Sequence, residues 1–303
     1  MVGENVSPIL RLEVGPHRAL SYLLCCRQSL NTGGSINLNT KPNKHNALMK
    51  KALLSLLLAS VAGLSQAGSP APKNPVAPPA PAADDSLGFG LTAGYDSSYI
   101  FRGVKYGDNL LSVGLTAPIK LSDKATLTFA PWYGHIAGES YDELDLVANL
   151  TYDLGFVTVG AGYTWYYYPF SGFNTSEPNI TLSKTIGGLN WFAGAYLDVN
   201  ADGGDLFANR GGSEGWYFET GVNYPIKITE KFSLVPEVKI SYGEKYYGVS
   251  GFNNVIVKLT APIALTKTAT LAPYIAGSFA IDSLEALGVE DYLVGGVALT
   301  VTF

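Results

Sequence analysis

Few groups of side chains in this sequence have the types and spacing for chemistry. The run Asp198-Val199-Asn200-Ala201-Asp202-Gly203-Gly204-Asp205 sets oxygen-bearing side chains on alternate residues with a glycine at the bend. That D-x-N-x-D-G spacing is the one a Ca²⁺ loop uses, with Asp198, Asn200, Asp202 and Asp205 as the ligands. Asn209 stands where such a loop carries its closing Glu, so a turn-rich surface loop is the competing reading. His135, followed by Glu139, Asp142 and Glu143, could pair an imidazole with a carboxylate as a hydrolase does, but spacing supplies no nucleophile, and a histidine at a strand end is the simpler expectation. Neither grouping calls for a cofactor other than Ca²⁺.

The elements that would hold these groups are strands. Leu87, Phe89, Leu91, Ala93 and Tyr95 alternate with Gly88, Gly90, Thr92 and Gly94, and the same period of two returns in Leu144 to Tyr152 and in Val157 to Trp165. Strands are expected near 87–96, 110–120, 125–134, 143–153, 156–167, 178–186, 189–199, 215–226, 232–243, 253–263, 269–280 and 291–303. Short connections near 121–124, 154–155, 187–188, 227–231 and 264–268 alternate with longer ones near 97–109, 135–142, 168–177, 200–214, 244–252 and 281–290. An even number of strands with short turns at one end and long loops at the other is the pattern of a bacterial transmembrane barrel. The fold expected is therefore all-β, an antiparallel up-and-down transmembrane β-barrel of about twelve strands.

Alternation alone leaves open which row faces in, since a soluble barrel turns its apolar row inward and a membrane barrel turns it outward. Three features favour the membrane: an export signal, aromatic residues gathered at strand ends (Tyr163, Trp165 to Tyr168; Trp216 to Phe218), and the ending Leu299-Thr300-Val301-Thr302-Phe303. That ending resembles the signal through which the barrel-assembly machinery recognises its clients. With the apolar row outward, Glu143, Asp145, Asn149, Glu219, Asn223, Glu237, Lys239 and Lys258 face the lumen, because a charge on the lipid side costs about 2–4 kcal/mol near the midplane. Twelve strands lie between the filled eight-stranded barrel and the open sixteen-stranded one, so a plugged lumen and a weakly cation-preferring pore are both compatible.

An internal repeat links LTAPIKLSDKATLTFAP (Leu115 to Pro131), LTAPIALTKTATLAP (Leu259 to Pro273) and, more loosely, VNYPIKITEKFSLVP (Val222 to Pro236), as repeated hairpins would. Each proline removes a ladder hydrogen bond in a sheet without free edges. Pro118, Pro225 and Pro262 are expected at the short-turn rim; Pro131, Pro236 and Pro273 have no account except a bulge.

The segment Gly94-Tyr95-Asp96-Ser97-Ser98-Tyr99-Ile100-Phe101-Arg102-Gly103, with Gly107-Asp108-Asn109 after it, resembles the opening of the Gcw_chp family of exported bacterial barrel-like proteins. Trp216-Tyr217-Phe218-Glu219-Thr220-Gly221-Val222-Asn223-Tyr224-Pro225-Ile226 resembles that family's aromatic-Glu-Gly-Tyr-Pro strand. The resemblance implies a barrel and no activity. Tyr99, Phe101, Arg102 and Gly103 are read as a rim motif, with Arg102 pairing with acids near a strand end or touching a solute.

At the N-terminus, Lys50 and Lys51, the apolar Ala52 to Leu64 and Ser65-Gln66-Ala67 make the three parts of a secretory signal peptide. Residues 1–48 then read as an upstream mis-start, 49–67 as the signal peptide, 68–86 as a Pro/Ala-rich periplasmic tether open to cell-wall contact, and 87–303 as an outer-membrane barrel in contact with lipid. Beyond residue 67 there are no cysteines and 13 basic against 23 acidic side chains, a balance that argues against nucleic acid as a partner. A small-solute or ion pore, an envelope-anchoring barrel and a barrel-borne hydrolase are the functions such a chain could have, and no enzyme is expected. Intact-mass measurement on protein extracted from membranes is expected to give a chain beginning near Gly68; retention of any residue before Met49 contradicts this reading.

Overall fold

The computed structural model describes residues 88–199 and 214–303. The signal peptide, the tether and three of the four Ca²⁺-loop candidates, Asn200, Asp202 and Asp205, lie outside the described residues. The chain forms fifteen β-segments: β1 (Gly90–Phe101), β2 (Val104–Lys120), β3 (Ala125–Phe129), β4 (Trp132–Ile136), β5 (Asp142–Asp153), β6 (Thr158–Tyr168), β7 (Phe173–Ile186), β8 (Leu189–Val199), β9 (Glu214–Asn223), β10 (Ile226–Lys227), β11 (Ser233–Glu244), β12 (Gly251–Thr260), β13 (Ile263–Ala264), β14 (Ala269–Ala280) and β15 (Tyr292–Thr302). One short helix, α1 (Asp282–Ala286), precedes β15. Three of the barrel's staves are interrupted, β3 with β4, β9 with β10 and β12 with β13, so the segments make twelve staves. Every stave pairs antiparallel with its neighbours in sequence, and β1 pairs with β15 from Gly90↔Thr302 to Asp96↔Gly296, which closes the ring.

The sidedness is that of a membrane barrel. On β5, Leu146 and Leu150 are exposed on the outer wall at 45% and 44%, while Glu143, Asp145 and Asn149 of the opposite parity are buried within the ring at 1%, 1% and 6%. On β11 the inward row of Glu237, Lys239 and Ser241 is buried in the same way. A soluble fold would pay heavily for this inversion, because carboxylates lose their water while leucines keep theirs. In hydrocarbon the outer leucines are already at home. The described part of the chain is thus a twelve-stranded transmembrane β-barrel.

Two expectations need correction. The long connection expected at 97–109 does not exist: β1 and β2 continue as a tall hairpin that closes through Arg102 and Gly103 alone. Both have positive φ, +50° and +89°, as a tight two-residue hairpin turn requires. The run of Ser97, Ser98, Gly107, Asp108 and Asn109 mimics a loop because these turn-forming residues accommodate a register shift at Tyr99/Ile100 and the left-handed Asn109, φ +61°. Similarly, β7 starts at Phe173, so the connection before it is only 169–172.

The prolines need no bulge. Across Pro131 the register is unbroken, from Ala117↔Phe129 to Gly114↔Trp132, and Leu115 N–H still donates to Pro131 O at 2.9 Å. Pro273 behaves alike, accepting from Ala261 N–H at 2.9 Å, and Pro236 keeps its place opposite Leu259. Each of these prolines therefore loses a donor without displacing its stave. The six prolines flank three short turns in pairs: 118 with 131, 225 with 236, and 262 with 273. In these repeats Ser122, Thr229 and Thr266 occupy equivalent positions, and each hydroxyl accepts a backbone N–H of its turn, from Lys124, Lys231 and Thr268. The repeat in sequence is thus a turn that caps itself where the ladder is weakest.

Replacing Leu150 with Arg is expected to cost about 2–4 kcal/mol and to impair assembly. Thr151→Arg, whose side chain enters the lumen opposite Gly160, is expected to assemble. Heat-modifiable electrophoretic mobility of membrane-extracted protein distinguishes them; equal assembly of both variants contradicts the sidedness.

Candidate functional site: a lumen crossed by an arginine

The two-residue turn between β1 and β2 folds into the ring. Gly103 makes this possible: a Cβ there would lie 2.5 Å from Leu284 Cδ1 of α1 and 3.0 Å from Asn254 Cγ of β12. Arg102, completely buried, crosses the lumen to Glu177 on β7 and binds it in a fork, Nη1 to Oε2 at 2.5 Å and Nη2 to Oε1 at 2.8 Å. Nη1 also donates to Tyr246 Oη at 2.5 Å. The guanidinium carbon lies 4.3 Å from the Tyr217 ring centroid, 4.8 Å from Tyr246, 4.9 Å from Phe101 and 5.0 Å from Tyr196. Tyr247 Oη reaches the backbone oxygens of Phe101 and Arg102 at 3.4 and 3.3 Å. A planar cation suits this place because its faces take rings while its edge takes a carboxylate.

Two apolar clusters pack beside it. Tyr196, Tyr217, Tyr246, Tyr247, Ala280 and Leu284 form one, and Tyr99, Phe101, Leu110, Trp132 and Ile136 the other. At this level, toward the long-loop end, the lumen is filled by side chains.

The expected lumen residues all lie on the inner wall. Glu143 accepts from Tyr99 Oη at 2.6 Å and Tyr141 Oη at 3.0 Å. Glu219 pairs with Lys239 at 2.7 Å and accepts from Tyr196 Oη at 3.1 Å. Glu237 stands opposite Lys258 across the β11–β12 ladder, and Lys258 Nζ rests 4.4 Å from the Tyr274 ring centroid. Asn223 Oδ1 accepts from Asn190 Nδ2. Asp145 and Asn149 line β5. Asp198 accepts from Thr175 Oγ1 at 2.6 Å, and among the described residues no cluster of three or more His, Cys, Asp or Glu side chains could hold a metal. His135 stands on the outer face, Nδ1 2.6 Å from Asp142 Oδ1.

Arg102 does pair with an acid near a strand end, as expected, but its rim position is corrected. The motif does sit at a strand end, but Tyr99, Phe101, Arg102 and Gly103 are all buried inside the ring. Sequence reasoning missed Glu177, which fell in an expected loop. Continuing the parity of Asn179 two residues back would have found it. Tyr217 was counted in an aromatic girdle, although its alternation with Glu219 marks it as inward; Trp216 and Phe218 do face outward.

Charged groups that face the interior are mainly acids: Asp96, Glu143, Asp145, Glu177, Asp198, Glu219 and Glu237 against Arg102, Lys239 and Lys258. The formal charge of the inward-facing side chains is therefore net negative.

No family model matches the chain, and no curated protein does. The Gcw_chp resemblance consequently rests on its motif residues alone. Among solved structures, an outer membrane channel from Pseudomonas putida F1 superposes with a TM-score of 0.50 at 14% identity, covering 73% of this chain and 97% of that one. KdgM porin gives 0.46 at 8% identity over 71% and 99%, and NanC porin 0.46 at 13% over 71% and 98%. At such identities the likeness is one of fold, which is that of an outer-membrane barrel.

Breaking the buried pair with Glu177→Ala strands a guanidinium and is expected to destabilise the barrel by about 3–5 kcal/mol. The apolar double replacement Arg102→Met with Glu177→Leu is expected to recover most of it. Urea unfolding in detergent reads both; a neutral Glu177→Ala contradicts the clamp.

Proposed function

We propose that this chain is an outer-membrane channel for small cations or cationic solutes, narrowed by its own β1–β2 turn. The supporting observation is an apolar outer wall enclosing a lumen whose charges are mostly carboxylates. Low-dielectric walls focus the field of such groups and concentrate cations between them. A barrel that served only as a fixture could fill its interior with apolar side chains at less cost, since each buried ion loses several kcal/mol of solvation. Fold alone does not decide function, so the reading rests on these inner-wall residues.

The filled level around Arg102 supports a second reading, a permanently sealed barrel that anchors the envelope through the Pro/Ala tether. In either case the route is export by the signal peptide, cleavage near Gly68 and insertion by the assembly machinery through the strand ending at Phe303. The D-x-N-x-D-G spacing assigns Asp198, Asn200, Asp202 and Asp205 as the ligands of a Ca²⁺ ion. We assign no catalytic activity.

Planar-bilayer recording decides between the readings. The processed protein is expected to give small, cation-selective openings, and Arg102→Ala with Glu177→Gln is expected to raise the conductance severalfold by emptying the crossed level. Silence from the wild type and the double variant, with assembly intact, contradicts a channel and leaves the anchor.

A further inference from the structure

Below the Arg102–Glu177 pair, toward the short turns, the inner wall changes from aromatic to small and polar. Asn149 on β5, Gly162 on β6 and Asn179 on β7 share one rung, Asn149↔Gly162↔Asn179, with Thr164 one inward position above on β6. Gly162 has no room for a side chain, because a Cβ there would lie 2.6 Å from Asn179 Oδ1. At Gly160, the next inward position, a Cβ would lie 2.2 Å from Thr181 Oγ1 and 3.3 Å from Asn149 Oδ1. The two amides thus lean over a glycine floor from opposite sides.

Asn149 and Asn179 are each 6% exposed and Thr164 1%. Asn149 Oδ1, Asn179 Oδ1 and Thr164 Oγ1 nevertheless have no hydrogen-bond partner among the described residues. Most buried polar atoms are partnered, and leaving one bare costs about 1–3 kcal/mol. Three bare acceptor oxygens on one strip of wall call for a hydrogen-bond donor or a cation, and the surrounding charge favours the cation. Neighbouring charges agree: Asp145 and Glu177 lie on the flanking staves, Glu143 stands higher on β5, and Arg102 is already taken up by Glu177. A divalent ion asks for more carboxylate than this strip offers. Neutral amide and hydroxyl oxygens beside a modest negative field suit a monovalent cation that has shed part of its water.

We propose that Asn149, Thr164 and Asn179 form a lumenal binding station for a small monovalent cation. The inference deepens the channel reading and rests on it for its purpose, though not for its test. Binding at this station would exchange hydration water for protein oxygens midway along the lumen, with Gly162 leaving the room in which the Asn179 amide lies against the wall.

The test is direct. Crystals of the processed protein are soaked in rubidium chloride, and anomalous difference density is measured at the rubidium edge. A peak in direct contact with at least two of the three oxygens is expected, and it should vanish in Asn149→Ala/Asn179→Ala while the barrel superposes unchanged. If the double variant fails to assemble, Thr164→Val serves as the second variant, with a peak weakened at least twofold expected. No density at the strip in molar rubidium overturns the proposal, as does a peak that survives the amide replacements. A peak in a protein that never conducts upholds the station and refutes the channel, whereas conduction without a peak does the reverse.

Discussion

Everything in this molecule depends on the requirement that no backbone N–H or C=O be left bare in hydrocarbon. A sheet meets it only by closing on itself, and closure here is the pairing of β1 with β15. A meander of neighbours is the simplest route to that closure, since each antiparallel pair needs only a turn. Once closed, the ring has an inner and an outer face that share one period of two. The surroundings then decide which row goes where, and lipid outside forces Leu146 and Leu150 outward and Glu143 and Asp145 in.

The interior then has to manage charges it cannot hydrate freely. It does so by pairing them: Arg102 with Glu177 across the ring, Lys239 with Glu219 between neighbouring staves, and tyrosine hydroxyls with Glu143 and Asp96. Pairs that span staves far apart in sequence tie the walls together and fill the level they cross. Where prolines remove ladder donors the register nonetheless holds, and at three of the short turns Ser122, Thr229 and Thr266 bond the turn locally.

This division explains what could be read from the sequence. The stave positions and the inward row follow from period and parity, which are local, and Glu143, Asp145, Glu219, Glu237 and Lys239 were legible for that reason. The reach of Arg102 was not, because it is set by a two-residue turn inside a run that reads as a loop, and by rings from β8, β9 and the β11–β12 connection. Glu177 was hidden by the same cause, a strand longer than its alternating core. The Asn149–Gly162–Asn179 rung joins residues that only register brings side by side.

Sidedness is the claim on which the channel, the clamp and the station all stand. Fluorescence quenching by brominated lipids tests it most directly, using variants that keep one tryptophan each. A tryptophan placed by Leu146→Trp is predicted to be quenched strongly, and Trp132, 7% exposed within the lumen, is predicted to be left bright. Quenching of Trp132 together with protection of position 146 would contradict an inside-out barrel, and the rest of the account with it.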